Sequence, residues 1–238
     1  MVLLFIILAL LSIPVLPAYA IETQGVYSEV LEGNVTVCVK PEHNVVTINS
    51  VFTVNVNIAD VPSDALWSYQ FQLFYNTTML EGMNVTLPEG HFLEPEQPDF
   101  IFVVQCHVNQ TSGKVYLAVT LLAPELGKVG NGTLVSATFK ATSLGHSILS
   151  IPEQYLILGR PACGPYENVD VIEGFVQVVS PDLNMDGKVD LEDLNLQKEA
   201  FGSYLGKPNW NITADLNKDD VVNILDISLV AKDYGKAV

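Results

Sequence analysis

Positive charge is scarce in this 238-residue chain: 11 Lys and Arg stand against 27 Asp and Glu, a formal net charge of −16. Phosphate backbones are held by clustered cations, so nucleic acid is excluded as a partner. Cysteine is scarcer still. Only Cys38, Cys106 and Cys163 occur, and no Cys-x-x-Cys zinc motif is formed. In an oxidising compartment two of these can pair and leave the third over, and all pairings stay open. The histidines, His43, His91, His107 and His146, stand outside metal-ligand spacing, and none neighbours a Gly-x-Ser-x-Gly. His107 follows Cys106, so on a strand the two side chains face opposite ways. Glu94, Glu96 and Asp99 have the composition of a glycosidase pair but sit among Pro95 and Pro98, which suits a solvated loop. No Gly-rich phosphate loop is present. With no nucleophile, base and orienting group in one constellation, no enzymatic activity is expected.

Long apolar runs are also lacking, apart from residues 1–20. There Pro14 and Pro17 break the run, and Ala18-Tyr-Ala20 offers a small-x-small cleavage site. The segment reads as a secretory signal peptide cut after Ala20, with an uncleaved anchor as the competing reading. No other segment is expected to span a membrane. Six sequons, at Asn34, Asn76, Asn84, Asn109, Asn131 and Asn211, agree with export and predict a glycosylated surface protein.

What is abundant between residues 34 and 180 is alternation. Phe52, Val54, Val56 and Ile58 alternate with Thr53, Asn55 and Asn57; Tyr69, Phe71, Leu73 and Tyr75 alternate with Gln70 and Gln72. Similar runs cover 35–39, 100–106, 115–121, 133–140, 147–151, 155–158 and 171–179, punctuated by Gly, Pro and Asn. No long 3.6-residue period interrupts them. Many short strands, each with one apolar face, predict a mainly β domain folded as a β-sandwich. Tyr69 and Tyr75 share the face of Phe71 and Leu73 and read as core. Trp67 remains a candidate for an exposed sugar platform.

The tail, 181–238, is written twice. The twelve residues from Asp182 to Asp193 recur from Asp215 to Asp226, an offset of 33 residues. In a twelve-residue calcium loop, oxygens come from positions 1, 3, 5, 7, 9 and 12, the seventh through its backbone carbonyl. The first copy supplies Asp182, Asn184, Asp186, the Lys188 carbonyl, Asp190 and Asp193. The second supplies Asp215, Asn217, Asp219, the Val221 carbonyl, Asn223 and Asp226. A hard cation takes many hard oxygens, so two Ca²⁺ ions are expected, one per loop. Val189 and Val222, at position 8, suit a short strand pairing the two loops. A helical period follows each loop, through Leu194 and Phe201 and through Ile227, Val230 and Tyr234, and each helix is expected to stop at a glycine, Gly202 or Gly235. Trp210, in the loop between the copies, is expected to pack as a clasp on the two helices. The joint, Ser180-Pro181, is too short to let the tail stand off from the sandwich.

Loop then helix, repeated after a linker and with Asp rather than Glu at position 12, resembles the type I-like dockerin module over residues 181–236. That resemblance implies a calcium-folded tail that docks onto a cohesin. In that family positions 10 and 11 help select the partner and are often Ser-Thr; here they are Leu191-Glu192 and Ile224-Leu225. The body resembles the cohesin family over about residues 34–180. Tyr69 to Leu80 is similar to the cohesin strand that ends in Tyr-Asp and turns to a Leu, with Asn76 in place of the Asp. Gly132 to Lys140, followed by Gly145 to Ile151, is similar to the cohesin pair of consecutive late strands. This implies a nine-stranded jelly roll related to carbohydrate-binding modules. The combination resembles secreted, cell-surface proteins of archaea.

Three functions follow as expectations. The first is a non-catalytic secreted assembly or adhesion protein, whose partners are cohesin or dockerin modules of other proteins, at the cell surface or in a polysaccharide-degrading complex. The second is a carbohydrate-binding module protein in polysaccharide binding and catabolism. The third is a dockerin-bearing polysaccharide-degrading enzyme, disfavoured because the sandwich shows no active site.

Overall fold

The computed structural model describes residues 34–160 and 164–238. The signal-peptide expectation and Cys163 fall outside them. Thirteen strands and two helices are assigned among the described residues. In chain order the strands are β1 (Val35–Lys40), β2 (His43–Thr47), β3 (Val51–Leu66), β4 (Ser68–Phe74), β5 (Leu80–Thr86), β6 (Ile101–Asn109) and β7 (Lys114–Leu121). Then come β8 (Lys128–Ala141), β9 (Gly145–Leu149), β10 (Ile157–Arg160), β11 (Gly164–Pro165), β12 (Val169–Ile172) and β13 (Gly174–Val179). The helices, α1 (Leu191–Ala200) and α2 (Ile224–Lys232), both lie in the tail.

One sheet runs β12-β1-β3-β8-β5, a second β11-β10-β4-β7-β6, and a third, of three strands, β2-β13-β9. The alternating side chains explain the layering. Val54, Val56 and Ile58 of β3, Tyr69, Phe71 and Leu73 of β4, Leu117 of β7 and Phe139 of β8 are at most 1% exposed and share one core. Each such side chain contributes about 1.5–3 kcal/mol on burial. Tyr69 turns its hydroxyl to the Leu134 carbonyl at 2.9 Å, so the buried ring keeps a partner. Its burial pushes the phenol pKa up.

The nine strands implied by the resemblance are a coarser set than the thirteen observed. β2 and β5 escape the alternation rule, because β2 opens on His43-Asn44 and β5 carries Gly82 at a register shift. The expected run 171–179 is two strands. It breaks at Glu173, where the chain leaves the sheet of β1 to join β2 and β9 in the third sheet. Cys38 and Cys106 are free thiols, so they are not joined to each other. The Cys106 thiol donates inward to the Val85 carbonyl at 3.5 Å, while exposed His107 stacks on Tyr116 outside.

The tail sits against the third sheet. Val179 of β13 and half-buried Val45 of β2 pack with Leu183, Val189, Leu216 and Val230 in one small cluster. Trp210 packs with Ala200, Ala214 and Val222. It thus clasps the end of α1 to the second loop and does not bridge the two helices.

Candidate calcium loops and docking face

Each loop is wound by hydrogen bonds from its own backbone to its acidic side chains. In the first, the Asp182 carboxylate accepts from Asp186 N at 3.2 Å and Gly187 N at 2.8 Å. Asp186 accepts from Lys188 N at 3.0 Å, and Asn184 Oδ1 from Asp186 N at 3.1 Å. Asp193 reaches back from α1, taking Leu183 N at 2.7 Å on one oxygen and Asp190 N at 2.8 Å on the other. Asp190 caps α1 through Glu192 N at 2.8 Å. The second loop repeats the set: Asp215 accepts from Asp219 N at 3.2 Å and Asp220 N at 3.1 Å, and Asp226 from Leu216 N and Asn223 N, both at 2.8 Å. Asn223 caps α2 through Leu225 N at 2.8 Å.

These contacts gather Asp182, Asn184, Asp186 and Asp193 into one curl, and Asp215, Asn217, Asp219 and Asp226 into the other. Asp182, Asp193, Asp215 and Asp226 are buried, at 7%, 0%, 1% and 0% exposure, and none has an ion pair among the described residues. Burial pushes the Asp215 carboxyl up, with the Asp220 and Asp219 amides pulling it back. An amide nitrogen lies among the carboxylates in each loop: Asn184 Nδ2 is 3.2 Å from Asp186 and 3.1 Å from Glu192, and Asn217 Nδ2 is 2.8 Å from Asp219. Buried carboxylates whose nearest positive partner is a neutral N–H suit a hard cation. No three acidic, His or Cys side chains converge to metal-holding distance by themselves among the described residues. The residues fit calcium as a mixed set in which carboxylates are joined by Asn and carbonyl oxygens.

The expected pairing of the two loops is corrected. Val189 and Val222 each make backbone hydrogen bonds beside a short bridge, but not with each other. Val189 pairs with the segment after α2 and Val222 with the segment after α1, because position 8 is buried in each case against the end of the other repeat. Leu191, Ile224 and Leu225, at positions 10 and 11, are exposed at 60%, 65% and 56%. They start the two helices and leave an apolar face in solvent.

A second candidate surface lies on the outer face of the β11-β10-β4-β7-β6 sheet. None of its five strands contains an Asp or Glu, in a chain with 27 of them. Gln70, Gln72, Tyr116 and His107 face outward, and Lys114 lies 4.6 Å over the Phe74 ring. His107 and Tyr116 stack at 4.9 Å. Position-by-position alternation pointed to this face through Gln70 and Gln72. Its freedom from acid was legible in the sequence once the strands of one sheet are grouped, and the grouping requires the pairing. Glu94, Glu96 and Asp99 are exposed, the first two in a loop and Asp99 in the 3-10 turn Pro98–Phe100 that follows it. Trp67 is half-buried with its ring on Gly127, where a Cβ would approach to 2.3 Å, and Tyr69 and Tyr75 are buried, so the three do not form an exposed row of rings.

A sandwich with an acid-free outer sheet and a tail of two repeated loops fit a modular interaction protein. Comparison with known families identifies both halves. The cohesin domain family matches residues 39–156 and the dockerin type I domain family residues 180–233; the chain therefore carries a cohesin domain followed by a type I dockerin domain. Cohesins and dockerins are non-catalytic interaction modules, and type I dockerins generally bind calcium. Among solved structures the chain is similar to the third cohesin ScaC of Acetivibrio cellulolyticus, in complex with the ScaB dockerin, at 14% identity and TM-score 0.49, covering 61% of this chain and 99% of that one. It is similar to the cohesin CaCohA2 of Clostridium acetobutylicum at 18% and 0.49, covering 62% and 92%. A non-cellulosomal cohesin of the hyperthermophilic archaeon Archaeoglobus fulgidus follows at 16% and 0.46, covering 62% and 93%. No curated protein matches the chain. No helix among the described residues is long and apolar enough to cross a membrane.

Proposed function

We propose that this is a non-catalytic, secreted assembly protein with two docking ends. The sandwich, residues 34–180, receives a dockerin-type module of another protein, and the tail, residues 181–238, docks onto a cohesin-type module. The observation that carries this reading is the acid-free outer sheet. Dockerin-type tails built on acidic loops, as this one is, find no like-charge repulsion there, and Lys114 and Tyr116 offer a cation and an aromatic anchor. The tail holds two Ca²⁺ ions, through Asp182, Asn184, Asp186, Lys188, Asp190 and Asp193 and through Asp215, Asn217, Asp219, Val221, Asn223 and Asp226. Calcium supplies the positive charge that lets the buried carboxylates stay ionised together. Residues 1–20 direct export. The exposed sequons at Asn34, Asn76, Asn84, Asn109 and Asn131 are available for glycosylation, and the setting is the cell surface or an extracellular polysaccharide-degrading complex.

A carbohydrate-binding reading draws on one observation. His43, Phe175 and His146 form a row of rings across the third sheet, with centroids 5.8 Å and 5.6 Å apart, and both histidines are exposed. Pull-downs of the full chain against panels of cohesins, dockerins and immobilised glycans separate the two. Docking predicts capture by a dockerin that Tyr116→Ala weakens tenfold or more, with no glycan retained and no reducing sugar released. Retention on a glycan that His43→Ala abolishes, with no module captured, overturns it.

A further inference from the structure

The backbone bridges of the tail are crossed between its repeats. After α2, Gly235 N donates to the Val189 carbonyl at 2.7 Å, Val189 N to the Lys236 carbonyl at 2.9 Å, and Val238 N to the Gly187 carbonyl at 3.1 Å. After α1, Gly202 N donates to the Val222 carbonyl at 2.9 Å, Val222 N to the Ser203 carbonyl at 3.0 Å, and Leu205 N to the Asp220 carbonyl at 3.1 Å. The brace residues 202, 203 and 205 correspond to 235, 236 and 238 one 33-residue repeat later, while the loop residues 220 and 222 correspond to 187 and 189 one repeat earlier. Lys188 and Ala237, and Tyr204 and Val221, are bridge partners within these short ladders. The segment that braces each loop thus belongs to the other loop's helix.

Carbonyls alternate in direction along an extended segment. In the first loop the carbonyls on either side of Lys188, those of Gly187 and Val189, are tied outward to residues 235–238. The Lys188 carbonyl is thereby turned to the opposite side, away from residues 235–238. The carbonyls of Asp220 and Val222 are tied to residues 202–205 in the same way and turn the Val221 carbonyl. Val189 and Val222 are 0% exposed, so the bonds their own amides make are shielded from water. The glycines that open each brace are left-handed, with φ +73° at Gly202 and +84° at Gly235, a turn that a side chain with a Cβ opposes.

We infer that residues 202–205 and 235–238 are crossed positioning braces, each aiming the carbonyl ligand of the loop it does not follow, and that the two loops therefore fill as a coupled pair. The ligand part of this inference rests on the calcium reading above; the crossing rests on the bridges alone. The test is a mirror pair of variants of the full chain, Gly235→Val and Gly202→Val. Amide hydrogen exchange is read at Val189 and Val222, beside calorimetric calcium titration. Gly235→Val is expected to speed exchange at Val189 at least tenfold more than at Val222 and to weaken the first loop most; Gly202→Val does the reverse. Each variant also weakens the remaining loop, by a smaller factor. A chain ending at Tyr234 gives the same pattern as Gly235→Val without placing a side chain on the strained residue. If Gly235→Val frees Val222 first, or frees both amides equally, the braces are not crossed and the inference falls. If the wild type takes up no calcium while the crossed exchange pattern holds, the calcium reading falls and the braces stand.

Discussion

Gly187 and Asp220 occupy the same position of the two loops, and both are left-handed, at φ +88° and +65°. Glycine adopts that conformation freely; an Asp there carries strain of ~1 kcal/mol. Position 4 does not discriminate, since Met185 and Lys218 are both left-handed, at φ +62° and +60°. Position 9 does: Asp190 brings a charge that Asn223 lacks. The first loop is therefore expected to bind calcium more tightly. Asp220→Gly should tighten the second loop by about fivefold for ~1 kcal/mol of relieved strain, read by calorimetric titration. A weaker or unchanged second site would refute the strain argument. At this scale the loops and the helices that follow them were legible, because the spacing of Asp and Asn that caps and winds them is a property of nearby residues. The partners of Val189 and Val222 were not, because an apolar residue at position 8 announces a strand without naming what it pairs with.

Among the elements, β8 carries the most. It lies between β3 and β5, and Phe139 packs its ring 5.9 Å from Phe52 and 5.1 Å from Tyr75 at 0% exposure. Phe139→Ala should destabilise the sandwich by about 3–5 kcal/mol, seen as a lower denaturant midpoint for its β signal. The calcium affinity of the tail should not change, since its clusters share no residue with Phe139. The strands of the central sheets were legible by period because each buries one face. β3 runs on to Leu66 beyond its alternating part, through register shifts and left-handed Asp60 and Ala65. Such bends follow from keeping one long strand paired with β8 through its register shifts, and local pattern does not encode them. The parallel pairing of β2 with β13 joins segments far apart in the chain, which period alone does not reveal.

For the whole molecule, the question is what keeps the tail folded. Its apolar clusters are small: Leu183, Val189, Leu216 and Val230 with Val179 of the sandwich, and Ala200, Ala214 and Val222. At about 1.5–3 kcal/mol for each large side chain, their burial falls well short of the ordering cost of about 1–2 kcal/mol per residue over the tail. Its hydrogen-bonded loops also concentrate buried carboxylates that repel one another without a cation. On the proposed calcium reading the ion supplies the difference, as in small metal-folded domains. The sandwich needs no such help, with a core running through all its central strands. Chelation of the full chain should therefore remove the helical circular dichroism and the amide protection of α1 and α2 while the β signal and its melting transition persist. Val179→Asp should bring the tail closer to that unfolded state at a given calcium concentration, because it puts a charge into the cluster that ties β13 to the loops. Retained protection of α1 and α2 in chelator would show that the joint with the sandwich, and not the ion, is what holds the tail together.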